Sequence, residues 1–137
     1  MSDLDRFVTA QDAVYAQVIS ELGHGRKMSH WMWFVFPQIA GLGSSAMSER
    51  YAIADADEAR AYLAHPLLGA RLRECTQAVL AIQGKTAEQI FGGIDAMKFR
   101  SSLTLFASVA GAGDDAFQQA LEKYFSGVAD EKTIQRL

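Results

Sequence analysis

The chain has 137 residues, 50% of them hydrophobic and 21% charged, which predicts one globular domain over residues 1–137 that buries more than half of its unfolded surface. The net charge of −3 argues against general binding to the nucleic-acid backbone, because that binding depends on an excess of Lys and Arg. The longest apolar run has about six residues, far fewer than the roughly twenty that cross a bilayer, so we predict no membrane segment. A single cysteine cannot form an intramolecular disulfide, and the N terminus lacks a signal-like pattern. Both observations predict a cytoplasmic protein.

The first predicted helix covers residues 4–22, where apolar side chains recur every three or four positions. Ser2, with Asp5 three positions later, has the spacing of an N-terminal helix cap. Gln11 lies within the apolar stripe of this helix, where a buried amide needs hydrogen-bond partners. It is therefore either an organiser of hydrogen bonds in the core or a ligand-binding group that faces a pocket.

The most distinctive stretch is residues 29–38, Ser-His-Trp-Met-Trp-Phe-Val-Phe-Pro-Gln, which holds both tryptophans. Because six consecutive residues are large and apolar, this run would have no polar side either as a helix or as a strand. The pattern predicts an aromatic core from which water is excluded. The edges of the run are polar, with Arg26 and His30 before it and Gln38 after it. These groups could form a wall where an aromatic floor meets hydrogen-bonding side chains.

The rest of the chain predicts further helices separated by turns. A Gly-Leu-Gly turn at 41–43 is followed by a short helix that Ser44 or Ser45 opens, and residues 51–53 read as extended or irregular. No segment shows the period-two alternation of a strand. We therefore predict an all-α fold, a single compact multihelical domain of about six or seven helices around an aromatic core. The later helical segments are 55–64, 68–82, 95–106 and 114–127, with brief turns at 86–91 and 130–137.

Motifs for metals and cofactors are missing from the sequence. The three histidines and Cys75 lack the spacing of metal ligands, and Gly41-Leu42-Gly43 matches only the first half of a dinucleotide fingerprint. Cys75 lies in an apolar helical stripe, which favours a small core residue over a nucleophile. We predict no metal site and no cofactor, and the sequence identifies no catalytic acid or base.

A polar group on the helix that Asp95 is predicted to cap is the most suggestive of ligand binding. At 100 degrees per residue, Lys98, Ser101 and Ser102 share a face beside the apolar stripe. An ammonium group with two hydroxyls could hold a phosphate or a carboxylate. The alternative is a lysine whose stem covers the core edge, with serines bonded to the preceding helical turn.

Five parts of the chain carry a distinctive pattern: residues 29–38, Gly41-Leu42-Gly43, Tyr51-Ala52-Ile53, His65-Pro66 with Arg71-Leu72, and residues 100–106. These stretches resemble one known family, the bacterial domain-of-unknown-function family eighteen-ten, whose members often carry the label calpastatin. The resemblance implies a mainly helical fold and brings no established activity or catalytic residue. A calpastatin-type inhibitor is a flexible, charged chain, whereas this sequence is half hydrophobic, so we reject calpain inhibition as the function.

A shorter stretch, Phe7-Val8-Thr9-Ala10-Gln11, is similar to a helix of the NADAR superfamily, which is linked to NAD and ADP-ribose chemistry.

Our first hypothesis is a protein that binds, and could hydrolyse, a nucleotide-like or ADP-ribose-like small molecule. Bases stack on aromatic rings, and phosphates need cationic or hydroxyl donors. The side chains assigned to such a ligand are Trp31 or Trp33 for the base, Arg26, Lys98, Ser101 or Ser102 for phosphate, and Gln11, Gln38 or His30 for a sugar or a water.

The second hypothesis is a noncatalytic protein–protein interaction module. In that case the aromatic run would be wholly internal, and a surface patch would contact a protein partner. The motivation is the lack of any recognised catalytic constellation in the sequence.

Overall fold

Ten helices make up the regular structure of residues 3–137, the part of the chain that this computed structural model describes. In that part no strand forms, and the only β-type pairing is an isolated parallel bridge between Ile39 and Ile53. The all-α prediction is confirmed. The predicted number of helices, about six or seven, is approximately right but not exact, because four of the ten helices are only four or five residues long and periodicity separates such helices poorly from turns. The helices are α1 (Asp5–Asp12), α2 (Tyr15–Gly23), α3 (Met32–Val35), α4 (Ala46–Arg50), α5 (Ala56–Ala64), α6 (Leu68–Leu80), α7 (Ala87–Phe91), α8 (Gly93–Val109), α9 (Ala116–Phe125) and α10 (Glu131–Ile134).

The single helix predicted over residues 4–22 is wrong, because two helices, α1 and α2, occupy that stretch. The chain leaves helical geometry at Val14, where φ is −133°. Helix α1 packs against α3, whereas α2 packs against α6. The break therefore lets two amphipathic segments meet different neighbours, and no glycine or proline marks it in the sequence. The predicted cap at Ser2 lies outside the described residues.

Helix α8 is the longest helix and begins earlier than its sequence suggests. Its N-terminal cap is Gly92, with φ +83°, and not Asp95. A positive φ of this size favours glycine over residues that carry a Cβ. Asp95 lies in the first turn instead, where its negative charge still interacts favourably with the helix dipole.

The aromatic stretch 31–36 connects two groups of buried rings. The ring of Phe34 lies 5.3 Å from that of Tyr51, in a group that continues through Phe7 and Tyr62 to α8. Phe36 points into a second group, with its ring 4.9 Å from that of Phe99. Edge-to-face and tilted ring pairs of this kind add to the stabilisation from burial. The predicted aromatic core is therefore confirmed.

The Ile39–Ile53 bridge determines the position of the loop that follows the aromatic stretch. The amide of Ile53 donates to the carbonyl of Gln38 at 2.8 Å, and the amide of Ala40 donates to the carbonyl of Ile53 at 2.8 Å. These bonds hold residues 38–43 at the protein surface beside α4.

Among the described residues, no helix is both long and apolar enough to cross a membrane.

Candidate functional site

Four of the predicted site residues line one cleft at the surface. The cleft consists of two adjoining cavities of about 210 and 230 Å³ beside the 38–43 loop. Trp33 lines the first cavity, Lys98 and Ser101 line the second, and Gln38 lines both. We call the two cavities together the loop cleft. Each cavity is smaller than the roughly 300–1,000 Å³ of a typical small-molecule site, but a ligand that extends across both would fall in that range. The residues common to both cavities are Gln38, Leu42, Gly43 and Ser48.

Trp33 differs from its neighbours in the aromatic stretch because it is only half-buried. The ammonium nitrogen of Lys98 lies 5.1 Å from the centre of a Trp33 ring, within the range of a cation–π interaction. The same nitrogen lies 3.7 Å from one carboxylate oxygen of Asp95, whose other oxygen pairs with Lys27 at 2.8 Å. These contacts place a positive charge at the aromatic wall of the cleft, and the Lys98 side chain remains 22% exposed.

Gln38 has the best position for contact with a ligand. Its backbone carbonyl accepts the bond from Ile53, while its half-buried side chain faces both cavities. Within residues 3–137 no hydrogen bond engages its side-chain amide. Each such amide can both donate and accept hydrogen bonds, so Gln38 offers a complete amide to a bound molecule.

Ser101 lines the cleft, but its hydroxyl is already engaged. It donates to a carboxylate oxygen of Asp130 at 2.8 Å and lies 3.1 Å from the carbonyl of Met97. The same oxygen of Asp130 accepts a bond from Thr133, and the amide of Asp130 donates to Thr104 at 2.8 Å. Ser101 therefore attaches the C-terminal segment to α8, and it can offer a ligand only an acceptor.

Gln11, Trp31 and Ser102 lie in the core and line none of the cavities. The amide of Gln11 donates to the carbonyl of Phe34 at 2.6 Å and to the hydroxyl of Tyr62 at 3.0 Å, which agrees with the interpretation of Gln11 as a core organiser. The hydroxyl of Ser102 is buried and has no hydrogen-bond partner among the described residues. These side chains are buried in the core and lie outside the loop cleft.

Trp31 is held by Glu21, a residue that no pattern in the sequence singles out. The buried Glu21 carboxylate accepts bonds from the indole nitrogen of Trp31 at 2.9 Å and from the amides of Met28 and Ser29 at 2.7 and 3.0 Å. Burial by itself would raise the pKa of Glu21, but these bonds and one from the Ser29 hydroxyl hold the pKa at about 2. Glu21 thus fixes the connection that leads into the aromatic stretch.

Arg26 and His30 are exposed and line none of the described cavities. The loop that carries them is held by Glu21 and by Lys27, whose backbone amide donates to the carbonyl of Ile90 at 2.7 Å. The structure therefore does not bring the nine predicted residues together in one site. It brings together Trp33, Gln38, Lys98 and Ser101.

Three residues near the C terminus extend the cleft. Lys132 and Asp130 line the second cavity, and a third cavity of about 330 Å³ lies between the 38–43 loop and residues that include Lys132 and Arg136. No motif in the sequence marks these residues, because the last segment reaches the cleft only through its packing on α8.

Within residues 3–137, no group of three or more His, Cys, Asp or Glu side chains could hold a metal ion.

These observations define an all-α protein with an aromatic core and a surface cleft that combines aromatic, amide and cationic groups. The family model described as "Protein of unknown function (DUF1810)" matches residues 1–137, and the chain belongs to this family, the one that the aromatic stretch resembles. No curated protein matches the chain.

A solved structure agrees with this assignment. The chain is 51% identical to the conserved hypothetical protein Rv1873 from Mycobacterium tuberculosis, whose crystal structure was determined at 1.38 Å. The similarity covers 98% of this chain and 96% of that one, with a TM-score of 0.96. The two proteins therefore share one helical fold over nearly their whole length.

Proposed function

We propose that the loop cleft binds a small nucleotide-like molecule in which a planar ring is joined to an anionic group. The observation that supports this most directly is that Trp33, Gln38 and Lys98 line adjoining cavities. The ring of Trp33 suits the planar ring of such a ligand, the ammonium group of Lys98 suits its anionic group, and the amide of Gln38 can bond to either part.

The aromatic end of the cleft suits the ring of the ligand. The first cavity is lined by half-buried Trp33 and by Tyr51, which is 7% exposed. Aromatic side chains provide stacking surfaces that are worth about 1–3 kcal/mol per base. Gln38 and Glu49 lie on the same lining and could pair with the polar edge of the ring or with sugar hydroxyls.

The anionic group of the ligand is assigned to the Lys98 end. Lys98 shares one carboxylate, Asp95, with Lys27, so its positive charge is only partly neutralised. A phosphate or carboxylate in the second cavity would complete that neutralisation through its negative charge. It would also accept charge-assisted hydrogen bonds, which are about twice as strong as neutral ones.

The test is a thermal-shift screen with adenosine, AMP, ADP-ribose, NAD and common phosphorylated metabolites. A ligand at about one hundred times its Kd adds about 2.7 kcal/mol of stability, which raises Tm by a few degrees in a domain of this size. We expect Trp33→Ala, Gln38→Ala and Lys98→Met to remove the shift. Arg26→Met, which removes an exposed positive charge outside the cleft, is the matched control and should keep it.

Two results would contradict the proposal. One is the absence of a shift with every compound in the screen. The other is a shift that survives both Gln38→Ala and Lys98→Met, because the ligand would then bind somewhere other than the loop cleft.

A noncatalytic protein–protein interaction module is the second candidate function. Three large apolar side chains, Met28, Ile94 and Met97, are 72–76% exposed, and exposed apolar groups of this size often mark contact surfaces. If they contact a partner, complexes purified from cells with the wild-type chain should be lost with Ile94→Lys/Met97→Lys. Equal recovery of complexes with both proteins would exclude this surface.

A further inference from the structure

The last ten residues add two positive charges beside the loop cleft. Lys132 and Arg136 are four positions apart, so they lie about one helical turn from each other along α10 and the turn that follows it. Lys132 lines both the second and the third cavity, and Arg136 lines the third. Together with Lys98, they place cations in two neighbouring cavities that have Lys132 in common.

The segment that carries these cations is attached firmly to α8. The guanidinium of Arg100 donates to the carbonyls of Val128 and Ala129 at 2.8 and 3.0 Å. Thr104 and Ser101 bind the amide and the carboxylate of Asp130, and Thr133 is fully buried. Lys132 and Arg136 therefore project from a fixed support and not from a loose tail.

Arg136 also contacts the loop that forms the cleft. A Cβ atom added at Gly41 would overlap a terminal guanidinium nitrogen of Arg136, so the guanidinium occupies the space that a side chain would fill. Gly41 has φ +95°, a conformation that favours glycine. The loop and the C-terminal segment thus meet at this guanidinium.

Acidic and basic side chains are unevenly distributed over the three cavities of this surface. Among the residues that the structure describes, Glu49 is the only ionisable acid on the first cavity, Asp130 is the only one on the second, and the third has none. The Asp130 carboxylate is already bound by Ser101 and Thr133. Neither Lys132 nor Arg136 pairs with a carboxylate within residues 3–137. The lining of the second and third cavities therefore carries more cationic than anionic side chains, Lys98, Lys132 and Arg136 against Asp130, and attracts anions.

We infer that the anionic part of the ligand is a pyrophosphate, two linked phosphates with one in the second cavity and one in the third. This inference rests on the proposed function, because it takes the ring of the ligand to lie at Trp33. One phosphate would lie between Lys98 and Lys132, and the other between Lys132 and Arg136. The planar guanidinium of Arg136 can bind phosphate oxygens in a bidentate manner.

The experiment is isothermal titration calorimetry at low salt with adenosine, AMP, ADP and inorganic pyrophosphate. We expect ADP to bind about tenfold or more tightly than AMP, because the second phosphate gains charge-assisted bonds. Arg136→Met should remove this gain and weaken pyrophosphate binding, while AMP binding is kept. Arg26→Met, which removes the same charge from an exposed site outside the cavities, should behave as wild type.

The results separate this inference from the proposed function. If AMP binding depends on Gln38 and Lys98 but ADP binds no more tightly, or if the ADP gain survives Arg136→Met, the pyrophosphate assignment is wrong and the proposed function stands. If pyrophosphate binds in an Arg136-dependent manner but adenosine, AMP and ADP do not, the anion site stands and the ring site fails. If none of the four compounds binds, both are overturned.

Discussion

The carboxylate of Glu21 accepts a hydrogen bond of 2.9 Å from the indole nitrogen of Trp31. Both side chains are buried, at 6% and 1% exposure, so the charge on Glu21 is compensated by donors of the chain and not by water. A buried carboxylate is tolerated only when it is hydrogen-bonded in this way. The pair links the end of α2 to the beginning of the aromatic stretch.

Glu21→Gln should lower the free energy of unfolding at neutral pH by about 2–3 kcal/mol, since the amide keeps the shape but loses the charge-assisted bonds. The pKa of Glu21 is about 2 in the folded chain, below its ordinary value of 4.5. Its carboxylate therefore stabilises the fold above about pH 4.5, and this contribution is lost as the pH falls toward 2.

Urea unfolding at a series of pH values measures this effect. The stability difference between wild type and Glu21→Gln should be constant from pH 7 to about 5 and should shrink below that. Glu122→Gln, which changes an exposed acid on α9, is the matched control and should change the free energy of unfolding at pH 7 by less than about 0.5 kcal/mol. A difference that stays constant down to pH 2.5 would mean that the carboxylate charge of Glu21 does not stabilise the fold.

Gln11→Ala should destabilise the protein by about 2–3 kcal/mol, because the carbonyl of Phe34 and the hydroxyl of Tyr62 would lose a buried donor. Gln118→Ala, at an exposed position on α9, should change stability by less than about 0.5 kcal/mol. Thermal or urea unfolding of the two variants checks the comparison. Equal stabilities would show that water replaces the amide of Gln11 in the core.

Cys75 should be inert toward thiol reagents in the native protein. Its side chain is fully buried, and burial raises the pKa of the thiol to about 12, against a smaller lowering by its contact with Tyr15. The thiolate is the reactive form, so Ellman's reagent at pH 8 should react at least about a hundredfold more slowly with the native protein than in 8 M urea. Because the chain has one cysteine, the absorbance reports this site alone, and rapid native labelling would contradict the assignment.

The sequence predicted the helical class and the aromatic core because both depend on local patterns of apolar residues. Residues 31–36 have no polar face, and five of the six are buried. The exception, Trp33, could not be distinguished from Trp31 by pattern. The difference between them is tertiary: Glu21 satisfies the indole of Trp31, whereas Lys98 lies against the ring of Trp33 at the surface.

The site was only partly predictable for the same reason. Lys98 and Ser101 share a helix, so their common face followed from helical geometry. Lys132 and Arg136 reach the cleft through the attachment of the C-terminal segment to α8, a contact that spans 26 to 29 residues along the chain. No local signal in a single sequence encodes a contact of that separation.

That attachment supports the last prediction, which concerns Thr104. Its hydroxyl accepts a bond from the amide of Asp130 at 2.8 Å and donates to the carbonyl of Arg100 at 2.9 Å. Thr104→Val keeps the shape of the side chain but leaves the Asp130 amide without its acceptor, at a cost of about 1–3 kcal/mol. Hydrogen exchange should therefore accelerate in residues 128–134, while α6 and α9 keep their protection.

Thr76→Val is the matched control for this change. Thr76 is also buried, but in the described part of the chain its hydroxyl bonds only to the carbonyl of Leu72 within its own helix. Its loss therefore leaves no amide without an acceptor and should cost less than about 1 kcal/mol. If Thr104→Val leaves exchange in residues 128–134 unchanged, the attachment rests on Arg100 and Ser101 alone. If exchange accelerates there and nowhere else, the segment that carries Lys132 and Arg136 opens as a separate unit, and its docking on α8 is what holds both cations beside the loop cleft.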